Sequence, residues 1–337
     1  MVTLKQIAEE LGISITTVSK ALKDYPDVNK KTRKLVRETA SILNYKPNSV
    51  AVNLRTKESK TIGLIIPEIV HHFFSSVIKG IISQAEKKGY LVITLQSNES
   101  YELEKKQIDL LISKRVDGIL ISLANGTSDY KHISEVLNQE TPIVMFDKIA
   151  KVIKCSKVII DDRKAAYKAT KHLIDIGCKR IAHFRGPLLP QNSIDRFLGY
   201  KQALTDNNII YDPTLVYLLN EMSFDEGKFY ANQLLKDHND VDGIFINTDL
   251  VAIGAISEFN KLGIKVPEQI KVIGFSNWFM ASVISPSLTT INQPGFEMGK
   301  KAFKLLCKEI KDKKKRKIIN YKNIVLETDL IVRESAV

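Results

Sequence analysis

Ser14-Ile15-Thr16-Thr17-Val18-Ser19-Lys20-Ala21-Leu22 lays out a short helix with two unlike faces. The Ser14 hydroxyl is placed to cap the first free amides, and Val18, Ala21 and Leu22 then fall on one apolar stripe. Ile15, Thr16, Thr17, Ser19 and Lys20 are left largely outside, on a face that is short, hydroxyl-rich and basic. Just upstream, Leu4, Ile7, Ala8 and Leu11 mark a second amphipathic helix, and Gly12 allows the tight turn that joins the two. The pair reads as a helix-turn-helix whose second helix is shaped to enter a DNA major groove. Amphipathic helix pairs that touch no nucleic acid are common, so the company the pair keeps decides between the two readings.

At 337 residues the chain is long for one domain, and a small module ahead of a larger body is the natural division. The net charge of +12 is unevenly placed. Residues 1–60 hold 12 basic and 6 acidic side chains, residues 308–317 hold 7 basic and 2 acidic, and the remainder is nearly balanced. A basic head on a neutral body points to an anionic partner for the head, with DNA the leading candidate. The late run lies between an amphipathic helix and a strand-like segment, and reads as a solvated loop. Cys155, Cys178 and Cys307 have no paired spacing, which argues for a reducing compartment and against a zinc or disulfide framework. The first residues carry no apolar export run and no later stretch approaches the ~20 apolar residues of a membrane helix, so a cytoplasmic protein is expected.

Asp24, Pro26 and Asp27 mark a loop after the second helix. Asn29 then caps a third, running to about Leu43 with Leu35, Val36, Ala40 and Leu43 inward, and Tyr45-Lys46-Pro47 ends it. Asn48 to Arg55 has helical composition but only eight residues, too few to stand alone, which makes it a candidate switch between head and body. From Thr61 the texture changes. Residues 62–66, 91–95, 118–121 and 143–146 are short apolar runs of the kind buried in a parallel sheet, with helical patterns near 73–88, 102–114 and 129–138. The rhythm restarts with strands at 180–184, 243–246 and 270–274 and helices near 194–206, 225–236 and 250–262. Two doubly wound α/β lobes in sequence, with a ligand cleft between them, are implied. The expected divisions are a head at 1–46, a hinge helix and linker at 47–60, and a two-lobe body at 61–337.

Val2-Thr3-Leu4-Lys5-Gln6-Ile7-Ala8, Thr17-Val18-Ser19-Lys20-Ala21-Leu22, Tyr45-Lys46-Pro47-Asn48 and Leu54-Arg55 resemble the head and hinge of the lac repressor/gal repressor family of bacterial transcription factors. Thr61-Ile62-Gly63-Leu64-Ile65-Ile66-Pro67, Val116-Asp117-Gly118-Ile119, Asn247-Thr248-Asp249, Val272-Ile273-Gly274-Phe275 and Leu288-Thr289-Thr290-Ile291 follow in that family's order, so the resemblance spans essentially the whole chain. It implies a periplasmic-binding-protein-like body and a regulator, in the repressor mould, whose affinity for a palindromic operator is set by a small effector, a sugar in preference to a nucleobase or nucleoside. It also implies a homodimer, whose two heads read half-sites about one helical turn, ~34 Å, apart. By the same resemblance Ile15, Thr16 and Lys20 meet base edges and Thr17 and Ser19 hold phosphates. Asn48, Ala51, Leu54 and Arg55 belong to the DNA-binding hinge. Leu54 matches the leucine that wedges the minor groove, or else makes an apolar contact between paired hinges.

The resemblance places the effector against Phe73, Phe74, Asp147, Arg196, Phe224 and Asp249. Arg196 would offer a planar fork of donors or, alternatively, a lobe-stabilising salt bridge, and Asp249 an acceptor for vicinal hydroxyls. One of Phe73 and Phe74 is expected in the core. Ser276-Asn277-Trp278 departs from the family's usual acidic residue after Gly-Phe, and its Asn277 and Trp278 suit a neutral polyol. His71 and His72 are adjacent, which rarely lets two imidazoles converge on one ion, so no metal and no cofactor are expected. A two-lobe solute-binding protein is disfavoured by the head. An enzyme is disfavoured by the lack of a Gly-rich phosphate loop or a G-x-S-x-G elbow. The four residues after Arg333 are too few for an appended tetramerising helix.

Overall fold

The computed structural model describes residues 2–45, 58–69 and 72–337. The chain divides at Ser59/Lys60 into two compact units. Asn48, Ala51, Leu54, Arg55 and His71 lie outside the described residues.

The first unit holds α1 (Leu4–Glu10), α2 (Ile15–Leu22) and α3 (Lys30–Ile42). Thr3 and Gln6 form a reciprocal capping box on α1, Ser14 Oγ accepts from Thr17 N at 3.0 Å, and Asn29 Oδ1 accepts from Thr32 N at 2.8 Å. Gly12 takes φ +62°, the left-handed turn between the first two helices. Ile7, Ala8, Val18, Ala21, Val28, Val36 and Ala40 close the core. Leu35, expected inward, is 49% exposed. The stripe of α3 runs through Val36, Ala40 and Leu43, and one step back along the helix turns Leu35 about 100° off it.

The second unit begins with β1 (Thr61–Ile66), α4 (His72–Lys88), β2 (Leu91–Gln96), α5 (Tyr101–Ser113), β3 (Ile119–Ile121), α6 (Lys131–Asn138) and β4 (Ile143–Phe146). It continues with β5 (Ser156–Ile160), α7 (Asp162–Asp175), β6 (Ile181–Arg185), α8 (Gln191–Asp206), β7 (Val216–Leu218), α9 (Phe224–Asp237), β8 (Gly243–Ile246) and α10 (Asp249–Lys261). β9 (Lys271–Ser276), β10 (Thr289–Asn292), α11 (Gly295–Lys314), β11 (Asn323–Leu326) and β12 (Asp329–Ile331) close it. Two six-stranded sheets result, ordered β11-β5-β4-β3-β1-β2 and β12-β10-β9-β8-β6-β7. The first is parallel throughout, and in the second only β12 runs antiparallel, against β10.

The lobes are therefore not consecutive, as the repeated rhythm suggested. After β10 the chain returns to the first lobe, where α11 packs on α4 and β11 pairs with β5. It then crosses again to place β12 in the second. Three connections between the lobes result, after β5, after β10 and after β11. Short strands such as β11 and β12 carry no local mark of which sheet they join, because pairing is a tertiary choice. The basic run is a loop only from Lys315 on, where it is exposed. α11 extends through Lys314, and Glu309 and Ile310 on its inner face are buried. Burial pushes the Glu309 carboxyl up to about 7.

α4 and α11 approach backbone to backbone. A Cβ on Gly299 would sit 2.1 Å from Val77 O, and one on Gly80 the same distance from Phe296 O. Gly299→Val must push the two helices apart, and is expected to lower unfolding stability by about 2 kcal/mol in urea titrations. A loss below half of that would show that the pair can slide without cost.

Candidate functional site

A cavity of about 230 Å³ lies between the lobes, off the carboxyl ends of their parallel strands. The first lobe supplies Phe73 and Phe74 from the start of α4, together with Asp147 and Lys148 after β4. The second supplies Asn192, Ser193 and Arg196 from α8, Asn247 and Asp249 around the start of α10, and Trp278 after β9.

Arg196 both lines the cavity and makes the salt bridge held open as its alternative. Its Nε donates to Asp162 Oδ1 at 2.8 Å, its Nη1 donates to Asn247 O at 2.9 Å, and its guanidinium lies 3.6 Å from the centre of the Phe275 ring. Pair and ring are buried together. Burial holds the Asp162 carboxyl up at about 7 even with Arg196 pulling it down.

Asp249 also lines the cavity, with both oxygens in use. Oδ1 accepts from Thr290 Oγ1 at 2.5 Å and Oδ2 from Trp278 N at 2.6 Å, which fixes the turn carrying the indole. Burial raises this carboxyl to about 6. Asp147 sits at φ +57°, with Ser122 Oγ and Asn192 Nδ2 each only 3.5 Å from it. Its pKa is raised by burial, and its carboxylate is loosely held on a left-handed backbone beside the cavity. Phe73 and Phe74 meet edge to face at 5.2 Å, and both lie in the core while also lining the cavity.

Two expected residues are placed elsewhere. Asn277 is turned away, its Oδ1 accepting from Arg333 Nη2 at 2.8 Å and its Nδ2 donating to Asn292 Oδ1 at 3.1 Å. Ser276 and Asn277 both take positive φ, and that double turn brings Trp278 rather than Asn277 to the cavity. Phe224 is the first residue of α9, beneath the Lys228 ammonium. The Glu226 carboxylate accepts from the amides of Asn220, Glu221 and Met222, so Glu221 and Met222 take the lining position instead.

Sequence reading passed over Ser193 and Asn247. Ser193 Oγ and Asn247 Oδ1 are buried without a hydrogen-bond partner among the described residues, and both side chains line the cavity. The available signals were that Ser193 lies three residues before Arg196 on one helix face, and that Asn247 directly follows β8. The cavity's cations are both engaged: Lys148 Nζ bonds Glu99 Oε1 at 2.5 Å and Asn125 Oδ1 at 2.6 Å, and Arg196 holds Asp162. Lys151 Nζ also reaches from the first lobe to Asp195 of the second, at 3.1 Å. His72 lines the same cavity, and among the described residues no three metal-binding side chains come together.

In the first unit Ile15, Thr16, Ser19 and Lys20 line one shallow hollow with Lys23 and Tyr25. Ile15 is 47% exposed. Thr17 Oγ1 is hydrogen-bonded to Ser14 Oγ at 2.8 Å, and Lys20 pairs with Asp27.

A helix-turn-helix unit ahead of a two-lobe α/β unit with an interlobe cavity is the make-up of a ligand-responsive DNA-binding regulator. Residues 3–48 match the bacterial regulatory proteins of the lacI family, and residues 59–326 match the periplasmic binding proteins and sugar binding domain of the LacI family. The chain belongs to the LacI family of bacterial transcription regulators. It is 33% identical to the HTH-type transcriptional repressor PurR of Vibrio atlanticus across 93% of each chain. It is 31% identical to the ribose operon repressor of Halalkalibacterium halodurans, over 99% of this chain and 97% of that one. Among solved structures it resembles the lac repressor dimer bound to operator and the anti-inducer ONPF, with TM-score 0.88, 25% identity and 99% of both chains covered. It also resembles a complex of the transcriptional regulator CelR with cellobiose, with TM-score 0.75, 27% identity and 99% and 100% covered. Among the described residues no helix is long and apolar enough to cross a membrane.

Proposed function

We propose that this chain is a cytoplasmic repressor that grips a palindromic operator as a homodimer, and that an uncharged sugar in the interlobe cavity changes that grip. The charge of the cavity carries the choice of ligand. Asp147, Glu221 and Asp249 line it, while Lys148 is already neutralised by Glu99 and Arg196 by Asp162. A phosphorylated sugar or a nucleotide would enter a field of its own sign. A neutral polyol finds the free Ser193 hydroxyl and Asn247 amide, with Phe73, Phe74 and Trp278 to cover its apolar face. The sugars for which two of its relatives are named, the ribose operon repressor and the CelR complex with cellobiose, are of this class. A nucleobase is the second reading, favoured by the same rings.

In this proposal Ile15, Thr16 and Lys20 read bases, Lys20 exchanging Asp27 for a guanine edge, while Thr17 and Ser19 hold phosphates. The functional divisions are 1–46, 47–60 and 61–337. Closure about the three interlobe connections changes whether Asn48, Ala51, Leu54 and Arg55 engage DNA. The coupling is reciprocal and of about 1 to 3 kcal/mol.

A thermal-shift screen of the full chain against free sugars, sugar phosphates and nucleobases tests the ligand class, since a ligand of the folded state raises the melting temperature. Stabilisation by free sugars is expected, and by nucleobases or phosphates alone would overturn it. With the stabilising sugar in hand, Ser193→Ala is expected to weaken binding by about tenfold in calorimetry, the loss of about one buried hydrogen bond, without lowering the melting temperature of the free protein. Unchanged affinity would remove Ser193 from the site.

A further inference from the structure

The sheet of the first lobe is parallel throughout, so all six strands begin at one rim. Each helix that feeds a strand ends there too. α4 closes on Lys87-Lys88 ahead of β2, and α5 is followed by Lys114-Arg115 ahead of β3. α11 closes on Lys313-Lys314, with Lys315-Arg316-Lys317 and then Lys322 leading into β11. All of these side chains are exposed. β11 and β2 are the two edges of the sheet, so the basic residues span its width, ~24 Å for five strand spacings.

Helix C-termini attract cations in any fold, and that alone would treat both lobes alike. It does not. At the corresponding rim of the second lobe acids keep pace with the bases: Lys179, Arg180 and Lys236 stand among Asp237, Asp240 and Asp242, and Arg180 pairs with Asp212 at 3.3 Å and Asp240 at 2.8 Å. In the first lobe Glu86, Asp117, Glu140 and Asp312 are outnumbered, and Asp117 is engaged by the Lys60 amide at 3.0 Å.

We propose that this rim is a second DNA-binding surface, which holds phosphates of duplex flanking the site read by the helix-turn-helix. The chain enters the lobe at this rim, through Lys60, whose carbonyl accepts from Leu91 N at 2.8 Å. Residues 46–59 can extend no further than ~50 Å, so a duplex gripped by the head stays tethered to the rim, and weak phosphate contacts act at raised effective concentration. A rim of ~24 Å matches about 7 base pairs of axis, enough for several phosphates. Such contacts carry no sequence information. They add affinity that rises with fragment length and falls with salt.

The test compares the full chain with Lys313→Gln/Lys315→Gln/Lys317→Gln, and with a control of equal net charge, Lys236→Gln/Lys261→Gln/Lys265→Gln, taken from exposed positions of the second lobe. The probes are a palindrome selected by the full chain from randomised duplexes, presented bare or with 20 base pairs of random flank on each side. The parent and the control are expected to bind the flanked duplex about tenfold tighter than the bare one, and the rim variant to lose that preference. Its salt slope on the flanked duplex should be shallower by roughly 2, with affinity for the bare palindrome unchanged. Equal length preference and salt slope in all three proteins would overturn the proposal. So would loss of binding to single-stranded RNA or phosphatidylglycerol vesicles with the DNA preference intact, which would assign the rim to another polyanion.

Discussion

Arg196→Met is expected to cost about 3 to 5 kcal/mol of folding stability and to abolish the thermal response to the effector. The size follows from what the guanidinium leaves behind. Asp162 is buried, and Arg196 supplies its 2.8 Å ion pair as well as the charge that most lowers the pKa of Asp147. Removing one partner of a buried pair strands the other, which is far costlier than losing an exposed bridge. Methionine keeps much of the packing against Phe275, so the loss reports charge rather than volume. The pH dependence separates the two. Asp162 stands at about 7 in the folded chain against an ordinary value of 3.8, so the folded state binds a proton that the unfolded chain has released across that window. Its contribution to stability is therefore full below about 4 and is lost as pH rises through about 7. Without Arg196 the carboxyl climbs higher, and the variant should recover more stability than the parent between pH 7.5 and 5.5. Asp162→Asn on the Arg196→Met background should restore part of the loss. Urea midpoints at the two pH values decide it. Equal midpoints in parent and variant would mean the pair is solvated in solution.

What could be foreseen from the residues, and what could not, divides along physical lines. Ser14 and Asn29 sit where short side chains cap helices, and both accept the bonds that their positions anticipate. The apolar runs that became β1, β3, β4 and β8 are buried on both faces, and a strand with no polar alternation advertises that. β11 and β12 stand only two residues apart and enter different sheets, a decision made by partners more than 30 residues away in sequence. The family resemblance pointed to Arg196 and Asp147, and both line the cavity. Asn277 was misplaced because two successive non-glycine residues at positive φ leave no mark in composition. Ser193 and Asn247 passed unnoticed for the opposite reason. Hydroxyls and amides are everywhere, and only burial without a partner sets these two apart.

Val18→Asp is expected to have the largest effect on function. Val18 is fully buried, in a core of seven buried side chains among the described residues, between the helix that carries the exposed Ile15 and Thr16 and its two neighbours. A small domain has little stability in reserve, and an unpaired carboxylate in such a core exceeds it, so the first unit should be unfolded at neutral pH. The second unit has its own cores, and its melting transition and its response to sugar should be unchanged. Binding to the selected palindrome should fall by about 1,000-fold, to the level of random duplex, because specific affinity exceeds non-specific by that order or more. Thr16→Ala is the matched control. It changes the outer face of the same helix without touching the core, and should reduce palindrome affinity by about tenfold with the first unit still folded. If the basic rim of the first lobe also holds DNA, Val18→Asp retains a weak, salt-sensitive association that Lys313→Gln/Lys315→Gln/Lys317→Gln removes. Palindrome binding by Val18→Asp within threefold of the parent, with the first unit's helical signal lost, would mean that sequence is read by some other part of the chain.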